Sequence, residues 1–381
     1  MTHAALPPLP LPLGIRSRQI PIATGLDMHV LEASHDTTTT PSKPLVLLLH
    51  GFPELAFSWR HQMNDLARAG FHVVAPDQRG YGRTHGGDDR LDGDWRASHM
   101  LQLVDDVLAL VKALGHTHVH ALIGHDFGSP VAAWCALTRP DVFQSVVMMS
   151  APFAGPPNAD VCEQVHAHLT AEVHALADLN PPRQHYQWYY SGPHANEDMW
   201  RAPQGLHDFM RAYYHVKSAD WKANQPYRLQ SWQADQLAEL PHYYVMPLDK
   251  NMAQAVAEFM PSSEEIALCQ WLPEKDLAVY SAEYGRRGYQ GGLQWYRCGT
   301  DKQEYMRLAQ FSGQTIRVPS AFIAGASDWG IYQVPGAFEK MQTSACTDMR
   351  FCDLIPDAGH WVQQEQAQRV TARLLDFLNQ L

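Results

Sequence analysis

The sequence predicts an α/β protein with a mainly parallel central sheet flanked by helices and a helical subdomain inserted between two strands. Three observations carry that prediction. Short β-type runs alternate with helical periodicity from Arg16 to about residue 152, the pattern of parallel strands joined by covering helices. Two of the runs, PLVLLLH at Pro44 to His50 and SVVMM at Ser145 to Met149, are almost continuously apolar, as strands buried on both faces are. The alternation stops near residue 153 and resumes after about residue 305, and a structureless loop of that length is uncommon in a compact domain.

Taken in order, residues 1–15 read as an N-terminal arm, because the prolines at 7, 8, 10 and 12 block a signal-type helix and no basic region precedes them. Strands are expected at Gln19 to Ala23, Met28 to Glu32, Pro44 to His50, His72 to Asp77 and His118 to Gly124, with Thr37 to Thr40 capping a surface turn. Met100, Leu103, Val104, Val107, Leu108, Val111 and Leu114 recur at helical spacing, and Gly115 follows where a helix-ending glycine belongs. Residues 16–152 and 306–381 form the expected core. Residues 153–305 hold half of the cysteines, many Trp and Tyr, repeated Pro and helix-like stretches such as SSEEIALCQWL, so they read as the inserted helical unit. Strands return at Val318 to Ala324 and Met349 to Leu354, and Val370, Leu374, Phe377, Leu378 and Leu381 line the last helix.

The formal net charge is −11, and the 29 Lys and Arg are scattered without a basic run. Nucleic acid and anionic membrane surfaces are therefore poor partners. The 6 Cys form no C-x-x-C pair and read as reduced thiols, with no metal or other cofactor implied. No apolar run approaches the roughly 18 residues of a membrane span, and Asn379-Gln380-Leu381 is not a peroxisomal address, so a soluble cytoplasmic protein, monomer or homodimer, is the expectation.

The strongest local feature is Gly124-His125-Asp126-Phe127-Gly128, between an expected strand and a helical run. A strand, a sharp turn between small residues and a helix expose one side chain above the sheet edge, here Asp126. An ordinary helix N-cap aspartate is the plain alternative. Chain order favours the chemical reading, since Asp328 follows the strand-like SAFIAGAS and His360 follows MRFCDLIPDAG, where an acid and a base would stand. Asp353 and Asp357 read as cap or turn residues, and Gly80-Tyr81-Gly82 lacks the spacing of a phosphate-binding loop.

Together, His50-Gly51-Phe52-Pro53-Glu54, Asp77-Gln78-Arg79-Gly80-Tyr81-Gly82, the Asp126 pentapeptide, Ser327-Asp328-Trp329-Gly330 and Ala358-Gly359-His360-Trp361 resemble the epoxide hydrolases of the α/β-hydrolase fold. The resemblance spans about residues 16 to 381. It implies Asp126 as nucleophile, Asp328 and His360 as the pair that activates water, and an oxyanion hole from the amides of Phe52 and Phe127, beside a cis Phe52-Pro53 peptide. Family members also place two tyrosines of an inserted lid over the nucleophile. The matching positions are Tyr186, in HYQWYYSG, and Tyr296, in GGLQWYRCG, with Tyr189 and Tyr190 leaving the first register open. Gln187, Trp295, Trp361 and Pro53 are the expected substrate-lining residues. The lid is longer than the resemblance implies, with extra sequence between about residues 200 and 260.

These residue types suit the reaction. A carboxylate with an ordinary pKa near 3.9 is ionised at neutral pH and can attack a saturated ring carbon, while a phenol can donate to the departing oxygen. Water and a small apolar epoxide are then the only partners required. A haloalkane-type dehalogenase would share the nucleophile, but typically carries an Asn and a Trp where this chain has Phe52 and Phe127, and FGSPVAAW lacks the arginines of fluoroacetate-type enzymes. A ligand-binding or biosynthetic protein on the same fold is the remaining alternative, since fold does not imply function.

Overall fold

The computed structural model describes residues 6–34 and 43–381; the first five residues of the arm and the Thr37 to Thr40 turn lie outside the described residues. Eight strands form one sheet in the order β1-β2-β4-β3-β5-β6-β9-β10. They are β1 (Ile15–Pro21), β2 (Asp27–Ala33), β3 (Leu45–Leu49), β4 (His72–Pro76), β5 (Ala121–His125), β6 (Val146–Met149), β9 (Ser320–Gly325) and β10 (Met349–Ile355). Strands β1, β2 and β4 pair antiparallel, and every other neighbouring pair is parallel.

The central strands sit where continuous apolar sequence places them. All residues of β3, β5 and β6 are buried, with helices on both faces. Helices α1 (Met63–Arg68) and α7 (Ala367–Leu378) cover one face, bringing Leu66, Val370, Leu374 and Phe377 against Val46, Leu48, Ile123 and Val147. Helices α2 (Met100–Ala113) and α3 (Gly128–Thr138) cover the other, through Val104, Val107, Leu110, Val131 and Trp134. Each such aliphatic side chain contributes roughly 1.5–3 kcal/mol on burial. The edge is where the structure departs from sequence expectation. The expected strand at residues 19–23 begins instead at Ile15, because Arg16 to Gln19 are exposed and carry no alternating apolar signal.

Between β6 and β9 the chain leaves the sheet. This inserted region carries α4 (Tyr186–Ser191), α5 (Leu206–Lys217), α6 (Gln290–Thr300) and several shorter or more exposed helices. It is not purely helical as expected: β7 (Arg183–His185) pairs antiparallel with β8 (Val245–Pro247). Strands of three residues are too short for a two-residue period to register in sequence. The apolar core continues from the α2 and α3 side of the sheet into this region, through Tyr190, Tyr213, Tyr244 and Leu293. All six cysteines are free thiols, and no described helix is long and apolar enough to cross a membrane.

Candidate active site

The turn after β5 holds Asp126 at φ 50°, a left-handed conformation uncommon outside glycine and costly by about 1–3 kcal/mol. Two glycines make the turn sterically feasible. A Cβ on Gly124 would lie 2.0 Å from the Gly128 carbonyl oxygen, and one on Gly128 would lie 2.4 Å from that of Leu49, so strand and helix approach backbone to backbone. Asp126 is thereby lifted to the carboxyl ends of β3 and β5, where open α/β sheets bind ligands. Its Oδ1 accepts the Phe52 N–H at 2.8 Å, from the loop after β3 with a cis Phe52-Pro53 peptide. Phe127 follows as the N-cap of α3.

The loops after β9 and β10 bring up Asp328 and His360. His360 Nδ1 is 3.1 Å from Asp328 Oδ1, which also accepts the Gly330 N–H at 2.7 Å. His360 Nε2 lies 3.2 Å from Asp126 Oδ2, an ion-pair distance without the alignment of a hydrogen bond. Burial alone would raise the Asp126 pKa, but His360 and, beyond it, the Lys217 charge hold it well below the ordinary carboxylate range. Asp328 is likewise lowered: burial opposes, and His360 and the Gly330 amide prevail. Burial and then Lys217 push His360 down, but Asp328 and Asp126 outweigh them, so its pKa ends above the usual histidine value.

The inserted region supplies an aromatic wall. The Tyr296 ring, on α6, lies 5.3 Å from that of Phe52, 5.1 Å from Phe127 and 6.0 Å from Tyr186. The Tyr186 hydroxyl, at the start of α4, donates to Gln333 Oε1 at 3.0 Å and accepts from Gln187 Nε2 at 3.1 Å. Burial, and then the charge of Asp126, push both phenols well above their ordinary pKa, so they stay protonated donors. Tyr190 packs 5.0 Å from Tyr296 and bonds Tyr213 rather than Gln333; Tyr189 turns outward to Asp198.

The four expected lining residues have structural partners of their own. Gln187 steadies the Tyr186 hydroxyl. Trp295 Nε1 donates to the Arg79 carbonyl at 3.0 Å and its ring backs Phe127. Trp361 Nε1 donates to the Tyr214 carbonyl at 2.8 Å and its ring stacks on Tyr214 at 4.3 Å. The Pro53 carbonyl accepts the Tyr214 hydroxyl at 2.9 Å.

Other groups at the site were not singled out by sequence reasoning. Glu54 Oε2 lies 2.6 Å from His125 Nδ1, both side chains are fully buried, and His125 Nε2 is 2.7 Å from the His360 carbonyl. Glu54 also accepts the Gly51 N–H at 3.0 Å, so one buried pair straps the Phe52 loop to the His360 loop. Burial raises and His125 lowers the Glu54 carboxyl, with a net fall. The positions flanking Asp126 and closing His-Gly-Phe-Pro-Glu were the available signal. Gln333 and Lys217 carried none. Among the described residues no group of three His, Cys, Asp or Glu could hold a metal ion.

Comparison with known proteins agrees with this geometry. Residues 44–367 match the family described as alpha/beta hydrolase fold. The chain is 31% identical to epoxide hydrolase B of Mycobacterium tuberculosis, over 92% of this chain and 96% of that protein. It is 30% identical to epoxide hydrolase A of the same organism, over 97% and 99%. A solved epoxide hydrolase from an endophytic Streptomyces superposes with a TM-score of 0.77 at 30% identity, covering 97% of this chain and 96% of that one.

Proposed function

Since this chain belongs to the α/β-hydrolase-fold family and is an epoxide hydrolase, we propose that it opens its substrate through a covalent ester of Asp126. The observation that carries the reading is the asymmetric setting of the Asp126 carboxylate: Oδ1 is held by the Phe52 amide, while Oδ2 faces His360. The inserted region serves as the lid.

In the first half-reaction Oδ2 attacks a ring carbon. A carbon–oxygen bond forms, the ring carbon–oxygen bond breaks with its electron pair on the departing oxygen, and a phenol of Tyr296 or Tyr186 donates to that oxygen. Tyr186 is ready once its hydroxyl hydrogen rotates away from Gln333. Positioned donors of this kind contribute typically about 10²- to 10⁴-fold. The aromatic wall of Phe52, Phe127, Tyr190 and Tyr296 favours an apolar epoxide.

In the second half-reaction His360, oriented by Asp328, takes a proton from water, and the hydroxide adds to the Asp126 carboxyl carbon. The oxyanion forms on Oδ1, against the Phe52 amide and beside that of Phe127; one such donor contributes about 3 kcal/mol. Collapse expels the diol, whose ester oxygen takes its proton from His360, while the proton left on the Asp126 carboxyl replaces the one the tyrosine gave to the ring oxygen, so that carboxylate, imidazole and phenol are all restored. Esterification also removes the Asp126 charge that helps raise the His360 pKa, so the imidazole moves toward its basic form when a base is needed.

Single turnover in ¹⁸O-labelled water tests the route. The ester path puts the label in the Asp126 carboxylate and releases unlabelled diol; labelled diol from the first turnover contradicts it, because water would then have attacked the epoxide directly.

A further inference from the structure

Behind the aromatic wall sits a cation that this reaction scheme does not employ. Lys217 closes α5 and is 3% exposed. Its Nζ lies 4.9 Å from the ring centroid of Tyr244, 5.2 Å from Tyr213, 5.5 Å from Trp361 and 5.8 Å from Tyr243. Among the described residues it makes no salt bridge. Burying an ammonium without a carboxylate is expensive, and ring faces return only part of that cost, about 0.5 to 2 kcal/mol per contact. The cage adjoins the base directly, because the Trp361 ring that forms one of its walls lies 4.7 Å from the His360 ring.

The backbone of Lys217 is fastened to the base. Its carbonyl accepts the His360 N–H at 2.8 Å. Glu365 Oε2 takes the N–H groups of Ala219 at 2.8 Å and Gly359 at 2.9 Å, and its Oε1 takes that of Trp361 at 3.0 Å. Asn224 Nδ2 donates to the carbonyls of Val216 and Ser218, both at 2.8 Å, which fixes the turn from the other side. Lys217, His360 and Trp361 are therefore held in one frame, and the Trp361 ring is a wall of the cage.

We propose that Lys217 is a positioning residue for ester hydrolysis: an ammonium caged by four aromatic rings and tied through its own carbonyl to the His360 amide, which sets a positive charge against the base that deprotonates water. The proposal rests on Asp126 forming the ester and His360 acting as base. The groups facing His360 are Asp126, Asp328, Lys217 and His125, whose ring is 5.1 Å away and which is paired to Glu54. Those around Lys217 are the cage phenols, Glu365, whose carboxyl burial pushes up to about 8, and, through charge, Asp126 and His360. Once Asp126 is esterified, Asp328 still favours imidazolium, and Lys217 opposes it.

The test is the pH dependence of ester hydrolysis, followed by rapid quench and intact mass, in Lys217→Met and Lys217→Arg. Removing the charge stabilises imidazolium, so in Lys217→Met the acid limb moves up by about one pH unit and hydrolysis at pH 7 falls about tenfold, recovering at high pH. Ester formation stays within about a factor of three, since Asp126 remains ionised, and Lys217→Arg keeps the wild-type limb. Lys217→Gln repeats the measurement should the Met variant fail to fold. An unmoved limb in the neutral variants overturns the proposal, as does an equal shift in the Arg variant, which would mean that packing alone matters. Absence of any quenched ester in the wild type overturns the underlying ester reading, and the proposal with it.

Discussion

Asp126 combines two features that pull apart in an ordinary fold: a strained backbone, and a carboxylate kept ionised although partly buried. Replacing it by Asn preserves shape and removes the nucleophile, so diol formation falls by at least about 10³-fold in protein shown by mass to be free of deamidation; retention of activity would sink the assignment. Tyr296→Phe removes one donor and lowers kcat by about 10²-fold, while Tyr186→Phe, whose hydroxyl is shared with Gln333 and Gln187, has the smaller effect. Steady-state rates on one apolar epoxide decide the ranking, and equal or reversed effects contradict it. The placement of Asp126, Asp328 and His360 in the loops after β5, β9 and β10 was legible in sequence because a strand-like run precedes each of them. The Glu54–His125 strap, Gln333 and the Lys217 cage were not, because each is a contact between segments that no spacing rule links.

At the level of elements, the turn between β5 and α3 depends on the absence of two side chains. Gly124→Ala places a methyl group where backbone atoms stand 2.0 Å away, with no flexible neighbour to yield. It is expected to destabilise by more than about 3 kcal/mol, or to prevent folding, and a melting temperature within a few degrees of wild type would show that the strand and helix are not so tightly apposed. The sequence revealed the central strands because burial on both faces makes them uniformly apolar. It placed the start of the edge strand β1 too late, past its solvated residues, and concealed the three-residue ribbon of β7 and β8. The long segment between residues 200 and 260, unexplained by the family resemblance, contains α5 with Tyr213 and Lys217, and then Tyr243 and Tyr244. Its aromatic richness was visible; that it walls one cation was not.

For the whole molecule, the buried titratable groups set the acid limit. His185 is buried, and burial lowers its pKa to about 3. A histidine depressed in the folded state contributes stability that is fully present above its unfolded pKa of about 6.5 and is lost as pH falls toward about 3, at up to about 1.4 kcal/mol per pH unit. The lowered carboxylates Asp77, Asp126 and Asp328 add a second loss that begins near pH 4. Melting temperature should therefore decline from about pH 6.5 downward, and His185→Gln should flatten the upper part of that decline; an unchanged slope in the variant contradicts the assignment. The proposed Asp126 ester depends on one of these lowered carboxylates and on His360 beside it as the base. The most direct test of that ester is the intact mass of a His360→Gln variant after incubation with an apolar epoxide. A gain equal to the whole epoxide, on the peptide that carries Asp126, is expected. A folded variant that still turns over the epoxide but shows no adduct, or carries it on another residue, would contradict it.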